Sequence, residues 1–242
     1  MDILVIKMNE YRYEKKYLVN KLEFNLLKNR LGNILSVDKN AQKLQGGEYN
    51  IRSLYFDSID NICHMDVING VNNRKKFRIR IYNSDDSVIK LEKKFKINGM
   101  IKKESCSISK EQYYYIINKN ISINRENPKL LNEFYKYMLY YGYEPKLIVE
   151  YDRVPYVYNA GNVRITLDYN LRYSTDFNNF FKRELVTTPY YSSEFKLLEV
   201  KYNIFLPDYI KYQIQLNELT MTAFSKYSRG MSMMKNIKGV II

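Results

Sequence analysis

Read for the alternation of apolar and polar positions, the chain separates into two kinds of segment. In the first, apolar residues recur every three or four positions, the spacing that lines one face of a helix. Asn20 precedes such a stretch, with Leu22, Leu26, Leu27, Leu31 and Ile34 as its expected apolar stripe. Ser109 followed by Gln112 forms a capping box ahead of Tyr113 to Ile117, because each side chain can satisfy the other's free backbone amide. Asn127-Pro128 opens a third helix that should stop at Gly142, with proline in the first turn and glycine just past the end. A fourth is expected to begin after Pro207 and run through Leu219.

The second kind alternates with period two and therefore reads as strands with one apolar and one polar face. The polar faces are heavily charged. One face of the segment 12–17 presents Arg12, Glu14 and Lys16, and one face of 77–81 presents Arg78 and Arg80. Lys90, Glu92 and Lys94 share a face opposite Ile89 and Leu91. Arg164, Thr166 and Asp168 share another, as do Glu199 and Lys201, while strands around 51–57 and 147–153 contribute Arg52 and Arg153. Any one of these strands alone reads as the solvated face of an open antiparallel sheet. Their recurrence favours a different arrangement, an α+β fold built on a closed antiparallel β-barrel of about eight strands, with helices packed outside and the charged faces inward. Such a lumen buries so many cations that it demands a bound polyanion and water. Glu14, Glu92, Asp168 and Glu199 offset part of the charge and offer oxygen ligands to a hard divalent cation.

Composition narrows the chemistry. The 242 residues are 45% apolar, enough for one substantial core and a single domain spanning the chain. A formal net charge of +13 points to a polyanionic partner: nucleic acid, an acidic membrane surface or a phosphate-rich small molecule. Cys63 and Cys106 have no metal-ligand spacing, which fits a reducing cytoplasm. The run Ile3 to Ile6 follows Asp2 instead of a basic region, and no segment approaches the length of a spanning helix, so the expectation is an unprocessed soluble protein. One histidine, His64, leaves little room for triads or imidazole bases, and an incidental role is expected for it. No GxxxxGK[ST] motif occurs, so any nucleotide phosphates must be held by side chains.

Nine blocks in order, RYEKKYLV at 12, IRSLYFDS at 51, KFRIRIY at 76, IKLEKKFK at 89, IKKESCSIS at 101, PKLIVEYDRVPY at 145, VRITLDYNL at 163, LLEVKYN at 197 and FSKYSRG at 224, carry a family resemblance. The chain resembles the catalytic domain of the vacuolar transporter chaperone (VTC) polyphosphate polymerases, within the CYTH-like triphosphate tunnel metalloenzymes. The resemblance implies the same tunnel of about eight strands. It also implies roles: Lys16, Arg52, Arg78, Arg80, Lys94, Lys103, Arg153, Arg164 and Lys226 fall on positions that contact phosphates, and Glu199 on the metal-binding glutamate, which would take Mn²⁺ or Mg²⁺. Lys102 and Lys103 are adjacent, so a shift of one residue exchanges which enters the tunnel; Lys103 gives the better block match. FSKYSRG alone also reads as a surface turn. The broader superfamily opens with ExExK, whereas the first position here is Arg12, which matches the polymerase branch and leaves one carboxylate fewer for metal. Eukaryotic relatives add phosphate-sensing and membrane domains that are not in this sequence, so translocation would need a separate membrane partner.

The expected activity is transfer of the ATP γ-phosphoryl group to a growing inorganic polyphosphate chain. Lys16, Arg78, Arg80, Lys94, Arg164 and Lys226 act at the reacting phosphates. Arg12, Arg52, Lys90, Lys103, Arg153 and Lys201 hold the rest, and Glu199 with Glu14 or Glu92 holds the metal. A phosphate nucleophile is already an oxyanion and needs no general base, whereas phosphoryl transfer needs positioning and charge stabilisation. Two alternatives stay open: a metal-dependent tripolyphosphatase or nucleoside triphosphatase, in which a carboxylate such as Glu14 or Glu92 activates water, and a non-catalytic polyphosphate binder. Nucleic acid is disfavoured, because the basic residues interleave with carboxylates and no RRM, KH or zinc-knuckle signature occurs.

Overall fold

The computed structural model describes residues 11–44, 46–190, 196–215 and 221–237. The run Ile3 to Ile6, and Leu219 with the rest of 216–219, therefore lie outside the described residues.

Eight strands of the described residues close into an antiparallel barrel: β1 (Arg12–Val19), β3 (Tyr49–Asp57), β4 (Arg74–Tyr82), β5 (Asp85–Ile97), β6 (Met100–Ile108), β7 (Glu144–Tyr158), β8 (Val163–Ser174) and β10 (Lys196–Tyr202). They run β7-β3-β4-β5-β6-β1-β10-β8, and β8 pairs back onto β7 from Ile148↔Ser174 to Tyr158↔Val163 to complete the circle. Two-residue strands, β2 (Ser36–Val37) and β9 (Thr188–Pro189), extend β7 and β8.

Seven described helices surround this barrel: α1 (Lys21–Ile34), α2 (Lys39–Gln42), α3 (Ile62–Ile68), α4 (Lys110–Ile117), α5 (Lys129–Tyr141), α6 (Asp208–Ile214) and α7 (Lys226–Ile237). The expected capping signals are present. Asn20 and Glu23 form a reciprocal box at α1, and Ser109 and Gln112 do so at α4. The helix α5 begins just after Pro128 and ends at Gly142, whose φ of 62° suits a residue without a side chain. The buried stripe of α1 is Phe24, Leu27 and Leu31, while Leu22, Leu26 and Ile34 are exposed. The expected stripe was thus placed about a quarter turn away, because a three-residue step from Phe24 gives the inward line. The helix after Pro207 stops at Ile214, where Gln215 takes an extended conformation.

The helices explain which way the strands face. Leu27, Leu31, Ile210 and Ile214 pack with Val154, Ile165, Leu198 and Val200. On the other side Phe134 of α5 meets Phe56 and Phe77 at ring-centroid distances of 4.8 and 5.1 Å. The apolar faces therefore point outward beneath helices, and the alternate positions point into the lumen. One helix also reaches inward. Gly230 of α7 sits so close to the strand wall that a Cβ there would lie 2.5 Å from Leu147 Cδ2 and 2.7 Å from the Tyr190 hydroxyl. That approach seats Tyr227 on Tyr55, with ring centroids 5.2 Å apart, and lets its hydroxyl donate to Asp57 at 2.8 Å. His64 is buried in α3, its Nδ1 2.9 Å from the Ser228 hydroxyl, and so serves the packing of α3 on α7.

Candidate functional site

Two cavities of about 160 and 310 Å³ occupy the lumen. Both are bounded by Glu14, Arg78, Arg80, Lys94, Arg153 and Lys201, so they are two halves of one passage. The smaller half lies against residues 222–226 at the start of α7, and the larger opens past Tyr49 and Tyr82. Ten basic side chains line the first half, and three further ones, Arg12, Lys103 and Arg164, line the second. The only carboxylates among the described lining residues are Glu14 and Glu199.

Period two accounts for these placements. On β1 the inward positions are Arg12, Glu14 and Lys16; on β10 they are Glu199 and Lys201; on β8 they include Arg164, Thr166 and Asp168. Lys16 lies opposite Glu199 in register, and Glu199 lies opposite Thr166. Glu14 accepts from Lys94 at 2.9 Å and from Lys16 at 3.2 Å, with Lys201 at 3.6 Å. Glu199 pairs with Lys201 and, at 3.6 Å, with Lys16. Fully buried Asp168 accepts both prongs of the Arg153 guanidinium at 2.6 and 2.7 Å, and the Lys226 ammonium at 2.6 Å. Lys226 therefore enters the lumen, so FSKYSRG begins a helix that lines the site instead of a surface turn.

These pairs set the protonation states. Burial and the nearby Glu199 push the Glu14 carboxyl upward, but Lys16, Lys94 and Lys201 outweigh them and hold it well below the usual carboxylate range. Glu199 is likewise held down, because Lys201, Lys16, Lys226 and Arg153 overcome its burial. Burial would lower Lys16, yet Glu14 and Glu199 raise it above the ordinary lysine value. Lys94 and Lys76 go the other way: burial outweighs their acidic neighbours and brings each down to about 8. Burial also opposes ionisation of Tyr55, but Arg78, Arg80 and Lys226 lower it to about 7, and Arg78 donates to its hydroxyl at 3.0 Å.

The signs of these shifts fix a pH dependence. Lys76 and Lys94 are charged below about 8 and neutral above it, and Tyr55 gains a negative charge above about 7. Binding of any polyanion in this lumen should therefore weaken as pH rises from 7 to 9, by up to about tenfold per pH unit for each lysine that must take up a proton. Calorimetric titration across that range tests this; an affinity that holds or rises would show that these lysines do not meet the anion.

Three expected site residues lie elsewhere. Arg52 is on the outer face of β3 and fully buried, paired with Glu150 and donating to the carbonyls of Phe180 and Lys182, each at 2.6 Å. The lumen face of β3 instead carries Ser53 and Tyr55. Lys90 keeps its predicted face but sits at the exposed rim, where its ammonium donates to the Ser107 hydroxyl at 2.8 Å. Glu92 is 2% exposed and held by Arg78 and by Lys103, each at 2.7 Å, apart from Glu199, which leaves Glu14 as the carboxylate set beside Glu199. Lys103, not Lys102, lines the passage. Conversely, Arg74, Lys76 and Lys96 line it without having been anticipated, although they only continue the two-residue step from Arg78 and from Lys94.

Among the described residues no three carboxylates, histidines or cysteines come together. A small hard cation, however, is commonly held by one or two carboxylates with substrate phosphates and water completing its shell. Glu14 and Glu199 meet that requirement, and the buried Thr166 hydroxyl facing Glu199 in register has no hydrogen-bond partner. Of the two expected pairings, Glu199 with Glu14 or with Glu92, the structure brings Glu14 and Glu199 together around Lys16, and that donor pair fits Mg²⁺ or Mn²⁺.

No helix of the described residues is long and apolar enough to cross a membrane. Compared with known proteins, residues 11–235 match the family model described as the VTC domain. No curated protein matches the chain significantly. Among solved structures it is similar to the PH1819 protein of Pyrococcus horikoshii OT3, with 11% identity, 92% of this chain and 99% of that chain covered, and a TM-score of 0.49. A putative adenylate cyclase from Bacillus halodurans is 11% identical, with 95% and 92% coverage and a TM-score of 0.47. A putative adenylyl cyclase from Hippeastrum, described as having a dominant triphosphatase activity, is 14% identical, with 96% and 88% coverage and a TM-score of 0.43.

Proposed function

The chain belongs to the VTC-domain family, and from that premise we propose that it is a polyphosphate polymerase, transferring the γ-phosphoryl group of ATP to the end of an inorganic polyphosphate chain inside the barrel. The observation that carries this reading is the state of the lumen's carboxylates. Glu14 and Glu199 are held as anions far below neutrality by the lysines around them. A base that must take a proton from water works best with a pKa near the operating pH, so these groups are poor water activators. A terminal phosphate, already ionised, asks for no base.

The residues divide the work. Arg78 and Arg80 offer planar guanidinium donors to the non-bridging phosphate oxygens, a geometry that ammonium groups cannot copy, and Arg153, whose fork is held by Asp168, adds positive charge to the wall. Lys16, Lys94, Lys201 and Lys226 supply mobile charge where it accumulates in the transition state. Arg12, Lys103 and Arg164 hold phosphates nearer the tyrosine-lined mouth. Glu14 and Glu199 would hold Mg²⁺ or Mn²⁺, which would supply further charge neutralisation on the phosphates, while Lys16 and Lys201 beside them face the substrate.

The hydrolytic reading rests on Tyr55, whose hydroxyl faces the lumen and titrates at about 7, within range of a base toward water. One assay separates the two. Purified protein given ATP, Mn²⁺ or Mg²⁺ and a short polyphosphate primer is expected to release ADP, lengthen the chains and leave little free phosphate. Glu199→Gln should lower the rate by about 10²-fold or more. Stoichiometric free phosphate without longer chains would establish the hydrolase, and tight polyphosphate binding without turnover would leave a binding protein.

A further inference from the structure

Charge along the passage is compensated unevenly. In the middle, Lys16, Lys94 and Lys201 have Glu14 or Glu199, Arg153 and Lys226 have Asp168, and Arg78 has Glu92. Toward the tyrosine-lined mouth Arg164 pairs with Asp38 at 3.0 Å, and only Arg12 lacks an acidic partner there, donating instead to the Asn162 carbonyl at 2.6 Å. At the α7 end a whole cluster forms no salt bridge among the described residues. Arg74 reaches only the carbonyls of Asp66 and Val71, at 3.3 and 3.2 Å. Lys76 donates to the Ser225 hydroxyl at 3.0 Å and lies over the Tyr227 ring at 5.4 Å. Lys96 lines the same cavity, and burial and Arg74 oppose its charge more than Glu14 supports it.

The register sharpens the point. On neighbouring strands Arg74 stands directly opposite Lys96, and Lys76 directly opposite Lys94. Like charges in directly opposed cross-strand positions destabilise a sheet, and Arg74 is a cause of the lowering of both Lys76 and Lys96. Two such pairs side by side, facing into a cavity and away from the apolar layer, do nothing for folding. They make sense around an anion that enters from the lumen.

We propose that Arg74, Lys76 and Lys96 form a chain-holding subsite, which grips the phosphates of an inorganic polyphosphate beyond those held by the middle of the passage. This rests on the reading that the lumen takes polyphosphate, and adds that the chain lies toward α7, away from the mouth lined by Tyr49 and Tyr82. A ligand of three phosphates filling the middle does not reach the subsite, whereas a long chain does.

The test measures equilibrium binding of inorganic tripolyphosphate and of long inorganic polyphosphate to the wild-type protein, Lys96→Ala, and Lys76→Gln with Lys96→Ala, without ATP. Each lysine removed should cost the long chain about tenfold in affinity and tripolyphosphate less than about threefold. Because the substitutions relieve like-charge repulsion, the ligand-free melting temperature should hold or rise, which a structural role for these lysines would reverse. Equal losses for both ligands, or no loss for either, would overturn the subsite. Neither readout depends on turnover. ATP-driven chain growth with an unchanged ratio of affinities would sink the subsite alone, and a changed ratio without chain growth would sink the polymerase alone.

Discussion

An Arg52→Met protein should melt roughly 6–12 °C below the wild type, yet bind tripolyphosphate with unchanged affinity in its folded fraction. Arg52 is fully buried on the outer face of β3, where it joins Glu150 of β7 to the carbonyls of Phe180 and Lys182. Breaking a buried ion pair by removing one partner costs about 3–5 kcal/mol. The lower end applies, because Arg172 still reaches Glu150 at 2.6 Å. The Phe180 carbonyl also loses its donor in a place that water does not reach. Calorimetric melting together with a tripolyphosphate titration decides the matter. A normal melting temperature with lost affinity would return Arg52 to the phosphates.

The largest catalytic effect is expected from Arg78. Its side chain borders both halves of the passage, pairs with Glu92 at 2.7 Å and donates to Tyr55 at 3.0 Å. Burial opposes its charge, but Glu92 and Tyr55 overcome that and keep it protonated at every accessible pH. Arg78→Ala should lower kcat by about 10²–10³-fold, the scale seen when one preorganised donor to a developing charge is removed. The fold should persist, since Glu92 keeps Lys103 at 2.7 Å. Arg78→Lys should recover less than about a tenth of the loss, because a single ammonium restores charge without the two-pronged geometry. Steady-state kinetics with circular dichroism checks both; a fully active Arg78→Lys would show that only net charge matters at this position.

The barrel and most of its lumen were legible because the strands obey a strict period of two. Arg12, Lys16, Arg78, Arg80, Lys94, Arg153, Arg164 and Lys201 all follow from alternation, and Lys226 and Lys103 from block matching. Arg74, Lys76 and Lys96 obey the same alternation; what hid them was ending the strands at Phe77 and Lys94, where the apolar partner residues give way to more lysine. Arg52 illustrates a different limit. Eight of the nine residues of β3 are buried, since a loop covers its outer face, so neither face of Tyr49–Asp57 declares itself by polarity. Which way Arg52 points was settled by the segment 180–183, some 130 residues away. The metal pair was blurred for a related reason: alternation places Glu92 on the inward face but says nothing of which cations surround it.

The order of strands around the barrel also governs how the protein comes into being. The strand β1 pairs with β6 through only two residues, Arg12 and Tyr13, and otherwise with β10, from Tyr13↔Tyr202 to Val19↔Lys196. A ribosome adding about 5–20 residues per second leaves β1 without its main partner for on the order of 10–40 s after it emerges. Throughout that time its Arg-Glu-Lys edge is open to other polyanions, nucleic acid on the ribosome among them. Closure of β10 against β1 is also the step that first brings Glu199 and Lys16 together, so the nascent chain gains its cylinder and its carboxylate pair at once, with Lys226 of α7 still to follow.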